Sequence, residues 1–324
     1  MRKVPIDVMR AVSMLYIVGY WHLLDYTNVG TWHYNPFTYR ITVGALALFV
    51  LISGFLTGRK DGGLAQGEIW NFYRTRFWRI YVPFAIASGL FLVAGINDTV
   101  VLVKGVTLVA MFFAPPPFTL WFVSMIVLFY LIAPLLIRMR GNEVAYIGVC
   151  IAIAGAMILY QSVTGRMDMR LMLYFPCFAA GIFLATRSLP SSTLSLVGVQ
   201  LLSALSLVPT LARPSYELQG DLWAAPWAFF GSIAVFMVVM RAARNLNPPA
   251  ILTQFSEASF FMYLLHRPFY RWMQNVWFPS TEKAQIPYLL FVCLPIIGIV
   301  AWLCQRAYAR FLQWREFRVV APNQ

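Results

Sequence analysis

Apolar runs of roughly twenty residues, separated by short polar stretches, recur along the whole chain. A helix of about 20 apolar residues crosses the hydrocarbon core of a bilayer. The runs fall near 8–26, 38–57, 77–96, 118–138, 143–160, 170–187, 193–212, 223–241, 254–276 and 287–308. The pattern predicts an all-α fold, a polytopic transmembrane helical bundle with about ten membrane-spanning helices. No repeat, low-complexity tract or polar linker interrupts it, so residues 1–324 are expected to form a single integral-membrane domain.

One further run, 99–113, is short, carries Lys104 near its middle and ends in Pro115-Pro116-Pro117. Charge decides how to read it, because Lys and Arg concentrate in cytoplasmic loops. With Arg2 and Lys3 inside, Arg59, Lys60, Arg74 and Arg76 also fall inside. The later basic groups are Arg138 with Arg140, Arg241 with Arg244, and the tail with Arg306, Arg310, Arg315 and Arg318. They join the same side only if 99–113 does not cross. The run is therefore expected to be an interfacial or re-entrant helix on the outer face, with both termini cytoplasmic. Arg166 and Arg170, beside Asp168, fall in an outer loop against this rule.

Composition agrees with a membrane protein. Hydrophobic residues make up 60% of the chain, charged residues 11%, and the mean hydropathy is +0.69. A soluble domain carries about 25% charged residues to cover its surface. The net charge of +13 does not point to nucleic acid, because the basic residues sit between apolar runs rather than on one stripe. Cys150, Cys177, Cys293 and Cys304 lie inside apolar runs without metal-ligand spacing and read as small core residues; no metal is expected. Met1-Arg2-Lys3 before an apolar run imitates a signal peptide. No small-x-small cleavage site precedes a soluble domain, so the first helix is expected to be retained.

Ionisable residues inside a span cost about 3 kcal/mol each at mid-membrane, so each one marks a candidate functional group. Arg10 and His22 lie in the first run, with Asp7 and Asp25 at its ends; Glu257 and His266 lie in the run at 254–276, followed by Arg267 and Arg271. His22 follows Arg10 by 12 residues, about 18 Å along a helix, which places it in the outer half. Asp25, three residues on, is close enough to accept a proton from one ring nitrogen and fix the tautomer. A neutral histidine so held can take a proton from a hydroxyl, while an inert interfacial histidine is the competing reading. His266 precedes Pro268, whose missing N–H frees a carbonyl one turn back; the histidine either satisfies that carbonyl or acts chemically. His33, between Trp32 and Tyr34, reads as interfacial. The stretch Phe72-Tyr73-Arg74-Thr75-Arg76-Phe77-Trp78-Arg79 interleaves three arginines with aromatic rings. It suits phosphates and a purine, or simply anchors the loop inside. Ser53-Gly54 reads as a close-packing pair, and no GxSxG, Walker, HExxH or GxGxxG motif is present.

Five segments in order resemble the acyltransferase-3 family of bacterial membrane acyltransferases. They are Ile6-Asp7-Val8-Met9-Arg10-Ala11-Val12 leading to His22, Leu48 to Leu56 around Ser53-Gly54, Phe72 to Pro83, Leu120 to Ser124 with Phe129-Tyr130 and Pro134, and Tyr263-Leu264-Leu265-His266-Arg267-Pro268. The resemblance spans essentially the whole chain. It implies a ten-helix fold in the bacterial cytoplasmic (inner) membrane, in contact with membrane lipids. It also implies transfer of an acyl group, usually acetyl from acetyl-CoA, to hydroxyls of a cell-envelope carbohydrate such as an exopolysaccharide, lipopolysaccharide sugar or lipid-linked glycan. His22 and Arg10 take the catalytic positions by this resemblance, with Asp25 beside them. Arg74 and Arg76, with Arg79 near them, would receive the CoA phosphates, and Ser53, Tyr263, His266 and Glu257 are further candidates. The family usually has ten residues between the arginine and the histidine; here there are eleven. The extra residue turns His22 by about 100° relative to Arg10, so either the helix holds a π-bulge or the pair couples differently. Some members carry an additional extracytoplasmic domain; none is expected here. The alternative is a transporter or flippase of an envelope polysaccharide intermediate, against which no inverted repeat is found.

Overall fold

A computed structural model of the chain describes residues 4–27, 34–59, 66–188, 192–212, 222–243, 245–247 and 249–320. His33 and the basic residues Arg2, Lys3, Lys60 and Arg244 lie outside them. The described residues are helical without a strand. In order, the α-helices are α1 (Val4–Tyr16), α2 (Pro36–Gly58), α3 (Gln66–Arg76), α4 (Val82–Val93), α5 (Thr99–Val106), α6 (Trp121–Met139) and α7 (Glu143–Thr164). They continue as α8 (Arg170–Leu184), α9 (Thr193–Ala212), α10 (Ala225–Ala242), α11 (Ala250–Val276), α12 (Glu282–Tyr288) and α13 (Leu294–Val320).

Among the described residues, seven helical segments are long and apolar enough to cross a membrane, and α8 is a shorter apolar helix. α11 and the helical stretch from Val4 to Trp21 fail that test because they carry the polar side chains described below. Together these make ten helical segments where the hydropathy pattern places ten crossings. α5 has eight residues, about 12 Å of helix, and the chain then breaks at Leu108, whose φ is +63°. The segment 99–113 therefore does not cross as one helix. Its neighbourhood also accounts for one of the two misplaced arginines, Arg170, while Arg166 is exposed. Arg170 is buried in an ion pair with Asp168, its Nε donates to Asp168 Oδ1 at 2.8 Å, and its guanidinium lies 3.9 Å from the Trp121 ring centre. The Asp168 N–H donates to the Met111 carbonyl at 2.9 Å. The acid–base pair is thus a neutral corner of the fold rather than a topological signal.

The helices form two compact units. Residues 1–31 with 246–324 make one, and 32–245 make the other. In the second unit, α2 and α8 approach closely. A Cβ added at Gly54 would overlap the Phe178 carbonyl oxygen, and one at Gly181 would overlap the Leu51 carbonyl oxygen. Glycine is required at both for the backbones to meet, which is the packing role expected from the small pair. Ser53 is half-buried beside that contact.

Three π-turns interrupt the helices, at Ile17–Trp21, Phe77–Tyr81 and Leu289–Cys293. Two have an evident cause. Val82 N–H bonds to the Phe77 carbonyl and Leu294 N–H to the Leu289 carbonyl, and the next residue is Pro83 or Pro295. A proline brings no N–H to the ladder, so a widened turn sits where a donor is missing anyway. The first π-turn closes on His22 N–H to the Ile17 carbonyl and is followed by Leu23, so proline does not explain it.

Candidate active site

α1 and α11 lie in the same unit and face each other through polar side chains. Ser256 Oγ donates to Asp7 Oδ1 at 2.7 Å, and Arg10 Nη2 donates to Ser259 Oγ at 3.0 Å. Further along both chains, His22 meets His266 and Asp25 meets Arg267. The partners rise together in number, so the two helices run parallel. On α11, Ser259, Tyr263, His266 and Tyr270 follow at steps of four, three and four, which is one face of a helix. All four are buried, and from Met262 to Pro268 α11 is buried all round.

His22 Nδ1 lies 2.9 Å from His266 Nε2, with the rings nearly parallel at 7° and their centres 4.9 Å apart. His266 is fully buried. Its Nδ1 lies 2.8 Å from the Tyr263 carbonyl oxygen and 3.2 Å from that of Met262. Carbonyl oxygens only accept, so His266 Nδ1 carries the hydrogen. In a neutral ring, His266 Nε2 then has the lone pair and accepts from the Nδ1–H of His22. His22 Nε2 is left with a lone pair and no proton. In the neutral pair, the chain of hydrogen bonds from Tyr263 through His266 to His22 leaves the free lone pair on His22 Nε2.

Two sequence expectations change here. Asp25 was expected to orient His22 through the i+3 spacing; instead its Oδ2 pairs with Arg267 Nη2 at 2.6 Å. The reason is charge. A guanidinium offers a carboxylate an ionic hydrogen bond, and a neutral imidazole does not. His266 does not satisfy the carbonyl freed by Pro268, which belongs to Leu264; it bonds to the carbonyls of Met262 and Tyr263. The π-bulge, one of two ways of fitting the extra residue before His22, is present at Ile17–Trp21. Tyr270 Oη donates to the carbonyl of Val18 inside that bulge at 3.2 Å. A π-turn leaves a carbonyl without its helical donor, and a buried tyrosine on α11 supplies one.

The rim is built by residues that sequence reasoning left without a role. Arg267 is buried, and its guanidinium lies 5.4 Å from the Tyr26 ring centre. Tyr26 Oη donates to the Arg267 carbonyl at 3.2 Å, and Gln274 Nε2 donates to the Tyr26 carbonyl at 2.8 Å. These contacts fix the end of the first helix on α11. Ser256, Ser259 and Tyr270 could have been found from their shared spacing with His266; their partners on α1 could not.

The remaining candidates are Glu257 on α11 and three arginines of the other unit. Glu257 is nine residues before His266, half a turn round α11, and is exposed. Arg74, Arg76 and Arg79 belong to the unit 32–245. Arg74 and Arg79 are exposed, while Arg76 lies 3.6 Å over the Phe72 ring and 5.5 Å from that of Tyr130. The arginine stretch thus holds one guanidinium against aromatic rings and leaves two facing outward. Among the described residues no group of three or more metal-ligating side chains occurs.

No curated protein and no solved structure matches the chain. A family model described as an acyltransferase domain matches residues 4–305 of the 324, a span that contains Arg10, His22, the arginine stretch and His266, and the chain therefore belongs to the acyltransferase-3 family.

Proposed function

We propose that this membrane acyltransferase moves a short acyl group, acetyl in the simplest case, from cytoplasmic acyl-CoA to a hydroxyl of a cell-envelope carbohydrate in the bacterial cytoplasmic membrane. The observation that carries the reading is the oriented histidine pair, which leaves His22 Nε2 unprotonated. An acceptor hydroxyl delivers its proton to that nitrogen as its oxygen attacks the thioester carbonyl. The tetrahedral intermediate collapses, the C–S bond breaks, and the CoA thiolate leaves and takes up the proton. His22 gains charge only while it holds the proton, and its Nδ1–H bond to His266 spreads that charge over two rings. The carboxylate of Asp25 offsets the guanidinium of Arg267 beside the pair. Arg10, held by Ser259 about 10 Å along α11 from His266, is a cation available for charge elsewhere on the donor. Arg74 and Arg79, exposed in a stretch backed by aromatic rings, suit the phosphates of a CoA donor.

The test uses the purified protein in sealed proteoliposomes with radiolabelled acetyl-CoA and a polysaccharide acceptor. Formation of an alkali-labile O-acetyl ester on the acceptor is expected. Movement of the acceptor across the vesicle without ester formation would replace this reading with transport. The double substitution Arg74→Ala/Arg79→Ala is expected to weaken CoA binding about a hundredfold, since each charge-assisted hydrogen bond contributes about 1.5 kcal/mol or more.

A further inference from the structure

Two surface features of the unit 32–245 meet at one end of α7 and α8. The first is a cleft of about 490 Å³ lined by Ile137, Arg138, Arg140, Gly141, Thr186 and Arg187. Arg140 is buried and donates to the Gly58 carbonyl, which fixes it in the wall. Arg138 is exposed, and Arg187 is 43% exposed and paired at 2.7 Å with Glu143, itself 59% exposed. An ion pair that wet yields readily to a better anion. Among the described residues, Arg138 and Arg187 face the cleft with Glu143 as the one carboxylate, which leaves it cationic. The second feature is a groove of about 420 Å³ lined almost wholly by apolar groups of α7, α8 and α10, among them Tyr146, Cys150, Ala154, Pro176, Phe183 and Phe229. The two adjoin through touching side chains. The Arg187 guanidinium lies 4.9 Å from the Phe183 ring centre, and Phe183 lies 5.6 Å from Tyr146.

We propose that this surface binds one anionic glycerophospholipid, with its phosphate in the arginine cleft and an acyl chain along the groove. A soluble anion would use the cleft and have no need of the groove. A neutral lipid would use the groove and have no need of the arginines. Their adjacency selects a ligand with both parts, and the bilayer around the helices supplies it. The residues are separate from the histidine pair and from the arginine stretch at 74–79, so this site stands whether or not the proposed donor and acceptor are right.

Native mass spectrometry of the detergent-extracted full chain tests it, with phosphatidylglycerol and phosphatidylcholine supplied in equal amounts. Preferential retention of one phosphatidylglycerol per chain is expected. Arg138→Ala and Arg187→Ala should each lower that retention about fivefold, at the ~1 kcal/mol an arginine near the surface contributes. Ala154→Phe, which narrows the groove and leaves every arginine in place, should lower it as well. Equal retention of the two lipids would overturn the proposal. So would an unchanged value in Ala154→Phe, or displacement of the lipid by millimolar inorganic phosphate or CoA, which would mark a simple anion site.

Discussion

His22 and His266 are separated by 244 positions, and hydropathy marks each of them without pairing them. The intramembrane cost of an ionisable residue singled out Arg10, His22, Glu257 and His266; three of them face the interface of α1 and α11, and Glu257 is exposed. What stayed hidden was the order of contacts. Local spacing made Asp25 look like the partner of His22, but the guanidinium of Arg267 outcompetes a neutral ring for that carboxylate. Two outcomes follow at this scale. His266→Ala removes the acceptor that keeps the hydrogen on His22 Nδ1, so the kcat of acyl transfer should fall at least about tenfold, with the KM for the donor little changed. Steady-state kinetics in proteoliposomes measures both. Arg267→Gln removes the ion pair with Asp25, an exposed residue, and should cost about 1 kcal/mol of stability. Thermal unfolding in detergent micelles measures that loss.

Of the three π-turns among the described residues, two end one residue before a proline, and the third ends at His22. The eleven-residue gap between Arg10 and His22 left the geometry open, because a regular helix would have turned the histidine away. The bulge absorbs the additional residue, and Tyr270 satisfies the Val18 carbonyl within it. Deleting Gly19 should therefore convert the bulge to regular helix, restore the family's spacing and preserve most of the acyl-transfer activity. Near-complete loss would mean that the bulge itself shapes the site. The close approach of α2 and α8 was legible as a small-residue pair, and its tightness shows in the added-Cβ overlap. Gly181→Leu should lower the unfolding temperature in detergent, as overpacking costs typically 1–3 kcal/mol. A substitution at Gly155, where an added Cβ meets nothing within 4 Å, should not.

At the scale of the molecule, the apolar runs predicted the helical segments because hydropathy over about 20 residues depends on the bilayer, not on tertiary contacts. Two segments were blurred for the same reason they matter: α1 and α11 exchange apolar residues for the Asp, Arg, Ser and His that bind each other. Their parallel course also bears on topology. Parallel spans require an odd number of crossings between them, and the described segments from α2 to α10 supply seven once α5 is left out. An eighth crossing at 99–113 would make α1 and α11 antiparallel, contrary to the order of their contacts. The charge count and the helix pairing thus support the same arrangement by independent routes.

The most direct test of the central claim is the turnover of His22→Ala in sealed proteoliposomes, with helix content and unfolding temperature matched to the parent. A positioned general base contributes about 10²- to 10⁴-fold. Loss of at least a hundredfold in kcat with the acyl donor still bound is the predicted result. Full acyl transfer by the folded variant would contradict the role given to the histidine pair.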